Sequence, residues 1–249
     1  MASGDRFLRT ELLLGKDNLE KLRRAKVAVI GLGAVGSFVC EALVRSGVGS
    51  LCLVDFDKIA ISNINRNLLA TEGSLKKYKV DVAKERYLEI NPEVNIETYN
   101  AFMSKDEFKI ILESKPNVII DAIDAVNPKV QVLEEACKTD IPIISSMGAA
   151  LKVDPSLVRV GSIFETKNCT LAKWVRKHLR KRGIDRDILC VYSKELPNCE
   201  AIFDTDFLNE EREYDRGRER QTMGSMIVIP GIFGLTIAKL AIDKILAEV

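Results

Sequence analysis

The chain has 249 residues, of which 47% are apolar and 29% charged, and its formal net charge at pH 7 is +1. A chain of this length and composition can bury the core of one large domain, with or without an appended lobe. The balanced charge argues against nucleic-acid binding through overall charge, so such a surface would have to come from local segregation of cations. The six cysteines form no C-x-x-C pair, which argues against a zinc knuckle or a disulfide framework.

The N-terminal segment MASGDRFLRTELL is charged from Asp5 onward and lacks the apolar core of a signal peptide. Together with the cysteine pattern, this predicts a reducing, cytoplasmic location. Residues 17–25 then predict a short helix that leads into the first strand.

The strongest motif follows that first strand, an apolar run at 27–30. The pattern G-x-G-x-x-G stands at Gly31, Gly33 and Gly36, and apolar residues then recur at helical spacing. The first glycine allows a tight bend, the second lets a phosphate approach the backbone, and the third lets helix and sheet pack closely. Amides at the helix start favour a polyanion. Asp55 closes the second strand, where a carboxylate can accept hydrogen bonds from a ribose, so the motif predicts a nucleotide-binding fold.

The elements that follow alternate between helix and strand. A loop at 57–69 comes first and lies at the carboxyl edge of the predicted sheet, where ligands bind in open α/β folds. The pattern predicts helices over 80–90, 105–113 and 128–138, and strands over 94–99, 117–121 and 141–145. Such alternation implies parallel strands, so we predict an α/β fold with a Rossmann-like, mostly parallel sheet flanked by helices.

The pattern changes after residue 150. We predict strands over 157–164 and 189–192, a basic helix over 171–182, a mobile polar segment near 198–221, and a core strand within 224–230 before a final amphipathic helix. We therefore expect one domain over 1–249, with a nucleotide-binding part at 1–150 and a smaller part at 151–249.

An apolar run at 226–246 raises the question of a membrane span. Pro230 and Gly231 break the run near its start, while Lys239, Asp243 and Lys244 interrupt the rest. Because charges at mid-bilayer are costly, a core segment is the favoured interpretation and no membrane span is expected.

Two cations are predicted to point at the same edge of the sheet. Arg66 lies in the loop after the ribose acid, and Lys79 opens the next helix. A triphosphate needs such cations more than a nicotinamide cofactor does, so the pair favours phosphate or adenylyl transfer over hydride chemistry. Spacing alone leaves open that both are ordinary surface cations.

Two carboxylates end the strand VIIDAID. Asp121 or Asp124 at this strand tip could hold Mg²⁺ by one or two oxygens, leaving the other positions to phosphates and water. The alternative that stays open is that Asp124 caps the following helix at its N-terminus.

The basic helix carries a cluster of cations around an apolar stripe. As candidate contacts to an RNA backbone we single out Lys173, Arg176, Lys177, Arg180 and Lys181. A merely solvated basic face is the alternative. Within the same helix, Trp174 is predicted to lie in the core and His178 to be a bystander.

Several motifs resemble those of the adenylating enzymes that activate ubiquitin-like and sulfur-carrier proteins: GLGAVGS, LVDFD, SNINRN, the helix opened by Lys79, INPE and DAID. Over nearly the whole chain, RFLRTELLLG, LAKWVRKHLRKRGI, VYSKELP and GSMIVIPGIFGLTIAKL resemble one branch, the tRNA threonylcarbamoyladenosine dehydratases. Sulfur-carrier activators typically carry two C-x-x-C zinc pairs, which this sequence lacks, so no zinc is expected. Asn67 stands where the family usually has glutamine.

The resemblance implies ATP and Mg²⁺ as cofactors and tRNA as a partner, with ATP bound by the part at 1–150 and tRNA or substrate by the part at 151–249. It implies that ATP is bound by Gly31, Gly33, Gly36, Asp55, Asp57, Asn65, Arg66 and Lys79, that Arg66, Lys79 and Asp124 are catalytic, and that Asp124 holds Mg²⁺. The implied reaction activates the free carboxylate of threonylcarbamoyladenosine as an adenylate, and the neighbouring carbamoyl group then closes a ring. The resemblance also implies a homodimer and allows a sulfur-transfer partner of the cysteine desulfurase type.

Other functions remain open at this point. One is adenylation of the C-terminus of a sulfur-carrier protein. Another is an NAD-dependent oxidoreductase or a catalytically silent nucleotide-binding scaffold. Cys190 and Cys199 invite comparison with the thioester cysteine of ubiquitin-type activators, but neither has a neighbouring motif that would lower its pKa, so covalent catalysis is not expected.

Overall fold

A single mixed sheet organises the computed structural model, which describes residues 5–203 and 222–247. Its strands are β1 (Lys26–Ile30), β2 (Ser50–Val54), β3 (Asn95–Tyr99), β4 (Val118–Asp121), β5 (Ile143–Ser146), β6 (Val158–Ser162) and β7 (Leu189–Ser193). Within those two ranges, the seven strands pair in the order β3-β2-β1-β4-β5-β7-β6. Every pairing is parallel except that between β6 and β7. The mostly parallel α/β architecture is confirmed.

Helices cover both faces of this sheet. They are α1 (Leu8–Leu14), α2 (Lys16–Arg24), α3 (Ala34–Ser46), α4 (Lys79–Ile90), α5 (Lys109–Ser114), α6 (Val126–Ala136), α7 (Thr170–Lys181) and α8 (Val228–Ala247). The sequence missed α1. It also started α5 four residues too early, because residues 105–108 form turns ahead of that helix.

The strands are buried on both faces, as their continuous apolar runs predict. Along β1, Val27 and Val29 belong to the core shared with α3, α4 and α8. Ala28 and Ile30 face the opposite core, which contains side chains of α5, α6 and α7. The sheet therefore has no solvent-facing side near β1, and a ligand has to reach it at an edge.

Strand order reverses at β1, which lies between β2 and β4. The carboxyl ends of these three strands meet at one edge: the amide of Gly31 donates to the Val54 carbonyl at 2.8 Å, and the amide of Ala122 donates to the Ile30 carbonyl at 2.8 Å. In open α/β sheets this switch point is where ligands bind. The glycine loop, the acids after β2 and the turn after β4 all start from it.

The C-terminal half contributes to the same sheet. β7 pairs with β5, and β6 adds an antiparallel edge strand. Buried apolar residues of α8, such as Ile229, Phe233 and Ile237, join the core that contains Val27 and Val29. Residues 151–247, where described, are thus built onto the nucleotide-fold half rather than set apart from it.

The predicted core strand within 224–230 is wrong. Residues 228–230 already belong to α8, and Met226, Ile227 and Val228 are each at least 40% exposed. Pro230 does not break the helix because it lies in the first turn, where backbone N–H groups have no acceptor within the helix.

Of the segment predicted as mobile, residues 198–203 are described. Ile202–Phe203 (β8) pairs with Thr222–Met223 (β9) in an antiparallel ladder, so the described start of the segment is structured. Residues 204–221 lie outside the described residues. Among the helices of residues 5–203 and 222–247, none is both long and apolar enough to cross a membrane.

Candidate active site

Each glycine of the G-x-G-x-x-G motif meets a different steric demand. Gly31 has φ +94°, and a Cβ there would lie 2.9 Å from the Ala122 carbonyl oxygen. A Cβ on Gly36 would lie 1.9 Å from the carbonyl oxygen of Gly31, so helix and loop pack without room for a methyl group. Gly33 precedes α3 as its N-cap, and no atom lies within 4 Å of the position of its Cβ. The geometry matches the predicted bend, open approach and close packing.

Asp55 ties the glycine loop to the end of β2. Its carboxylate accepts hydrogen bonds from the amide of Leu32 at 2.6 Å and from the amide of Asp57 at 2.8 Å. The side chain is buried, and this burial, with the charge of Asp57, raises its pKa. Asp55 thus braces the loop in addition to any contact it makes with a ligand.

Lys79 lies between the two acids that follow β2. Its ammonium Nζ lies 2.8 Å from Asp57 Oδ2 and 3.9 Å from Asp55 Oδ1, and its side chain is 8% exposed. Its backbone amide also donates to the Asp57 carbonyl at 3.0 Å, so the start of α4 is fixed to the end of β2. The alternative of an ordinary surface cation does not fit a buried lysine.

Arg66 is held by its own loop. Its guanidinium donates to the Ser62 carbonyl at 2.6 Å and to Asn65 Oδ1 at 2.8 Å. Asn65 in turn donates from Nδ2 to the Ser225 carbonyl at 2.9 Å, which joins the loop to the residues just before α8. Arg66 is half-buried, so its planar cation is preorganised at the sheet edge.

Arg66, Lys79 and Asp124 come from three different segments and share one electrostatic neighbourhood. Burial lowers the pKa of Arg66, and the charge of Asp124 opposes this shift. Burial alone would lower the pKa of Lys79, yet the net shift is upward because carboxylates surround it. Those carboxylates are Asp55, Asp57 and Asp124. The predicted catalytic residues therefore lie at one place, with Asp124 exposed at its rim.

Asp121 is not available to a metal, contrary to one of the two predictions for this strand end. It is fully buried, with Oδ2 2.5 Å from Lys129 Nζ and 2.6 Å from Ser145 Oγ. Its other oxygen accepts from the amide of Ile123 at 3.1 Å, in the turn that leads to Asp124. No sequence pattern predicted this network. The one local feature that could have indicated it is a lysine eight residues beyond the acid.

The proposed helix-capping role of Asp124 is also wrong. α6 begins at Val126, and its N-cap residue is Ala125.

Asn67 is used inside the loop. It is buried, its Nδ2 donates to the Leu32 carbonyl at 3.0 Å, and its Oδ1 accepts from the amide of Leu69 at 2.9 Å. Where the family usually has glutamine, this asparagine braces the glycine loop from the side of the Arg66 segment.

The basic helix α7 presents most of its predicted cations to solvent. Exposed side chains are those of Lys173, Lys177, Arg180 and Lys181. Arg176 differs, because its guanidinium donates to Thr166 Oγ1 and, at 3.4 Å, to the Ile163 carbonyl. The prediction that Trp174 is a core residue is wrong: its side chain is 43% exposed.

The surroundings of Cys190 disfavour covalent catalysis by this residue. Burial raises the pKa of Cys190 to about 12, which keeps this thiol protonated. Cys199 is exposed. Among residues 5–203 and 222–247, no group of three or more His, Cys, Asp or Glu side chains is arranged to hold a metal ion.

The fold and the residues at the carboxyl edge of the sheet together define a nucleotide-binding α/β protein with a preorganised cluster of cations and acids. The model of the ThiF family matches residues 6–248, and the chain belongs to this family. It is 42% identical over 191 residues to a tRNA threonylcarbamoyladenosine dehydratase of Bacillus subtilis. The aligned residues make up 77% of this chain and 75% of the relative.

A structural comparison agrees over almost the full length. The crystal structure of the E. coli tRNA N6-threonylcarbamoyladenosine dehydratase in complex with ATP matches with a TM-score of 0.86 and 27% identity, covering 98% of this chain and 94% of that one. A molybdopterin-synthase adenylyltransferase of Haemophilus influenzae is 34% identical over only 138 residues, or 55% of this chain and 56% of the relative. This match therefore spans a smaller part of the chain than the match to the Bacillus subtilis dehydratase.

Proposed function

We propose that this protein is an ATP-dependent tRNA threonylcarbamoyladenosine dehydratase. The observation that carries the proposal is the convergence of Arg66, Lys79 and Asp124 beside the glycine loop, at the switch point of the sheet. The dehydratase names of relatives that match over most of the chain support the choice of substrate.

The reaction follows from the chemistry of a carboxylate, which is a poor electrophile because its leaving group would be oxide. Attack of the threonyl carboxylate on the α-phosphorus of ATP expels pyrophosphate and forms an acyl-adenylate. The neighbouring carbamoyl group then attacks the activated carbonyl, closing a ring and releasing AMP. The nucleoside loses one water, and ring closure gains the advantage of an intramolecular reaction.

The glycine loop is the proposed phosphate site. Gly33 leaves open space where a phosphate can approach, and the first amides of α3 have no acceptor within the helix. Asp55, already fixed by two amides, would accept a hydrogen bond from the ribose. Asp57 and Asn65 would line the same site.

Arg66 and Lys79 would stabilise the charge that builds up at the α-phosphate. Each preorganised donor of this kind contributes roughly 3 kcal/mol to a transition state. Lys79 suits the task because its raised pKa keeps it cationic throughout the physiological range. No protein nucleophile is needed, which agrees with the buried, protonated Cys190.

Asp124 is the residue that would hold Mg²⁺. Its exposed carboxylate stands at the site's rim near both cations, and Mg²⁺ commonly uses one or two carboxylates together with substrate phosphates and water. When bound, the ion neutralises phosphate charge and favours departure of pyrophosphate.

The exposed cations of α7 would bind the tRNA backbone. The N-terminal end of α7 is close to the carboxyl edge of the sheet: a Cβ on Gly148, just after β5, would lie 3.4 Å from Sγ of Cys169, the N-cap residue of α7.

We further propose a homodimer, a cytoplasmic location and, as a partner, a sulfur-transfer protein of the cysteine desulfurase type.

The reaction class is tested by incubating bulk tRNA carrying the open nucleoside with enzyme, ATP and Mg²⁺, and then measuring nucleoside masses. We expect the modified adenosine to lose one water only when ATP is present. An unchanged mass, with pyrophosphate exchange that depends instead on a small carrier protein, would replace this proposal by sulfur-carrier activation.

The site assignment is tested separately with Arg66→Ala and Asp124→Ala. Each should abolish AMP formation while leaving the melting temperature close to that of the parent, because both residues lie at the open edge. Arg24→Ala is the matched control, since Arg24 ends α2 just before β1, at the opposite edge of the sheet. Parental turnover in either active-site variant would overturn the assignment.

A further inference from the structure

The outer face of α7 carries an exposed tryptophan, which is unusual for the largest apolar side chain. Val175 and Leu179 are buried residues of this helix, whereas Trp174 is 43% exposed. Core packing therefore accounts for only part of the Trp174 side chain. This residue is also the only tryptophan of the chain.

Cations border the exposed ring. Lys177 Nζ lies 4.7 Å from the Trp174 ring centroid, and the His178 ring lies 6.4 Å away at a tilt of 36°. A cation over an exposed ring contributes only about 0.5–1 kcal/mol, so Lys177 can leave the ring for a phosphate at little cost. Lys173 is the exposed neighbour on the other side.

The charge along this stretch of the chain is of one sign. From Glu165 to Asp185 the sequence contains no acidic residue between these two, but seven lysines and arginines. A protein surface of mixed charge would be a poor match, whereas a polyanion with flat aromatic groups fits both the cations and the indole. RNA has this chemistry.

The ring also lies at a suitable place on the molecule. α7 starts beside Gly148 at the active edge, and its other end reaches Glu134 of α6 through Arg182. Trp174 is four residues into α7, or about 6 Å along its axis from Thr170. Trp174 therefore lies near the end of α7 that adjoins this edge, while Arg180 and Lys181 lie toward its other end.

We infer that Trp174 stacks on an unpaired base of the RNA substrate, with Lys173 and Lys177 contacting the adjoining phosphates. The inference deepens the proposed function and rests on it for the identity of the RNA as tRNA. Stacking makes the helix a reader of unpaired nucleotides rather than a general polyanion surface.

The intrinsic fluorescence of the unmodified protein tests this contact, because the single indole is the only tryptophan emitter. We titrate the full chain with an anticodon stem-loop RNA and, in parallel, with heparin, a polyanion without bases, following binding by anisotropy of a labelled competitor RNA. RNA should quench the emission, and heparin at equal occupancy should not. Saturation by RNA without a change in emission overturns the inference, as does equal quenching by heparin or an emission typical of a buried indole before RNA is added.

Variants separate stacking from charge. Trp174→Leu should weaken binding of the stem-loop about tenfold and leave heparin binding unchanged, whereas Trp174→Phe should keep most of the RNA affinity. Lys177→Glu should weaken binding of both the stem-loop RNA and heparin. Equal RNA affinity of the leucine variant and the parent, at matched melting temperatures, overturns the stacking role. This outcome is distinguishable from failure of the proposed function, which the nucleoside mass assay reports without reference to Trp174.

Discussion

Gly33 and Gly36 lie three residues apart, at the N-cap and in the first turn of α3, yet a methyl group at each would meet different surroundings. At Gly36 it would overlap the Gly31 carbonyl oxygen at 1.9 Å, and at Gly33 it would point into open space. We expect Gly36→Ala to lower the free energy of unfolding by about 3 kcal/mol. Gly33→Ala should cost only about 1 kcal/mol, through the weaker N-cap, but should reduce ATP affinity about tenfold.

Urea denaturation and calorimetric titration with ATP check this pair of variants. Equal destabilisation by both substitutions would contradict the steric distinction. If a folded Gly33→Ala variant bound ATP as tightly as the parent, the proposal that a phosphate binds at Gly33 would be wrong.

Lys79 makes the stability of the site depend on pH. Lys79→Met leaves Asp55 buried without its cation, and breaking such a pair costs about 3–5 kcal/mol at about pH 8. The pKa of Asp55 is already raised by burial and should rise further in the variant. Its folded state then binds a proton more tightly than its unfolded state, so the deficit should shrink as pH falls through that raised pKa.

In the parent, the raised pKa of Lys79 means that its contribution is complete below its unfolded value of about 10.4 and is lost only as pH rises through the folded value. Unfolding measured between about pH 5 and 11 checks both signs. Lys77→Met is the control, since Lys77 is exposed two residues earlier. A deficit in Lys79→Met that does not change with pH would refute the coupling to Asp55.

Sequence patterns predicted which single residues lie at the carboxyl edge of the sheet when these residues stood next to a strand end. The glycines, Asp55 and Asp124 were predicted this way, because carboxyl ends of parallel strands share an edge. Asp121 was not separable from Asp124, because its burial depends on Lys129 and Ser145, which come from a different helix and strand. Long-range partners of this kind leave no local pattern.

At the scale of elements, α8 packs unusually close to α3. A Cβ on Gly234 would lie 2.5 Å from Phe38 Cβ and 2.7 Å from the Val35 carbonyl oxygen, whereas one on Gly231 would lie 3.2 Å from the Phe38 ring. We expect Gly234→Ala to lower the free energy of unfolding by about 2–3 kcal/mol through overpacking. Gly231→Ala should stay within about 1 kcal/mol, because a gain in helix propensity offsets the tight contact.

Thermal and urea unfolding of the two alanine variants measure the difference. Since Val35 is in the first turn of α3, Gly234→Ala should also weaken ATP binding. Two variants of equal stability would show that the helices can separate at little cost.

Element boundaries were predictable where apolar periodicity was clean and failed where a single residue was ambiguous. Pro230 suggested a break but lies in the first turn of α8, which a proline tolerates. Trp174 was assigned to the core because helical spacing alone cannot fix which side of an amphipathic helix carries a bordering residue. Its exposure followed only from the packing of α7 against α6.

At the scale of the whole molecule, the topology brings distant segments to one edge. The glycine loop follows β1, the acids follow β2 and Asp124 follows β4, while the Ser225 carbonyl, just before α8, holds Asn65. Alternation of helix and strand predicted the parallel sheet. The antiparallel pairing of β6 with β7 could not be predicted, because strand order and direction depend on contacts between remote parts of the chain.

The central chemical step is the transfer of one carboxylate oxygen from the threonylcarbamoyl group to the α-phosphorus of ATP. The most direct measurement is the mass of the AMP released when the enzyme acts on tRNA whose threonylcarbamoyl carboxylate is labelled with oxygen-18. We predict that AMP gains one heavy oxygen, that pyrophosphate gains none, and that Arg66→Ala releases no AMP. Unlabelled AMP, or label in inorganic phosphate with release of ADP, would contradict activation of the carboxylate as an adenylate at this site.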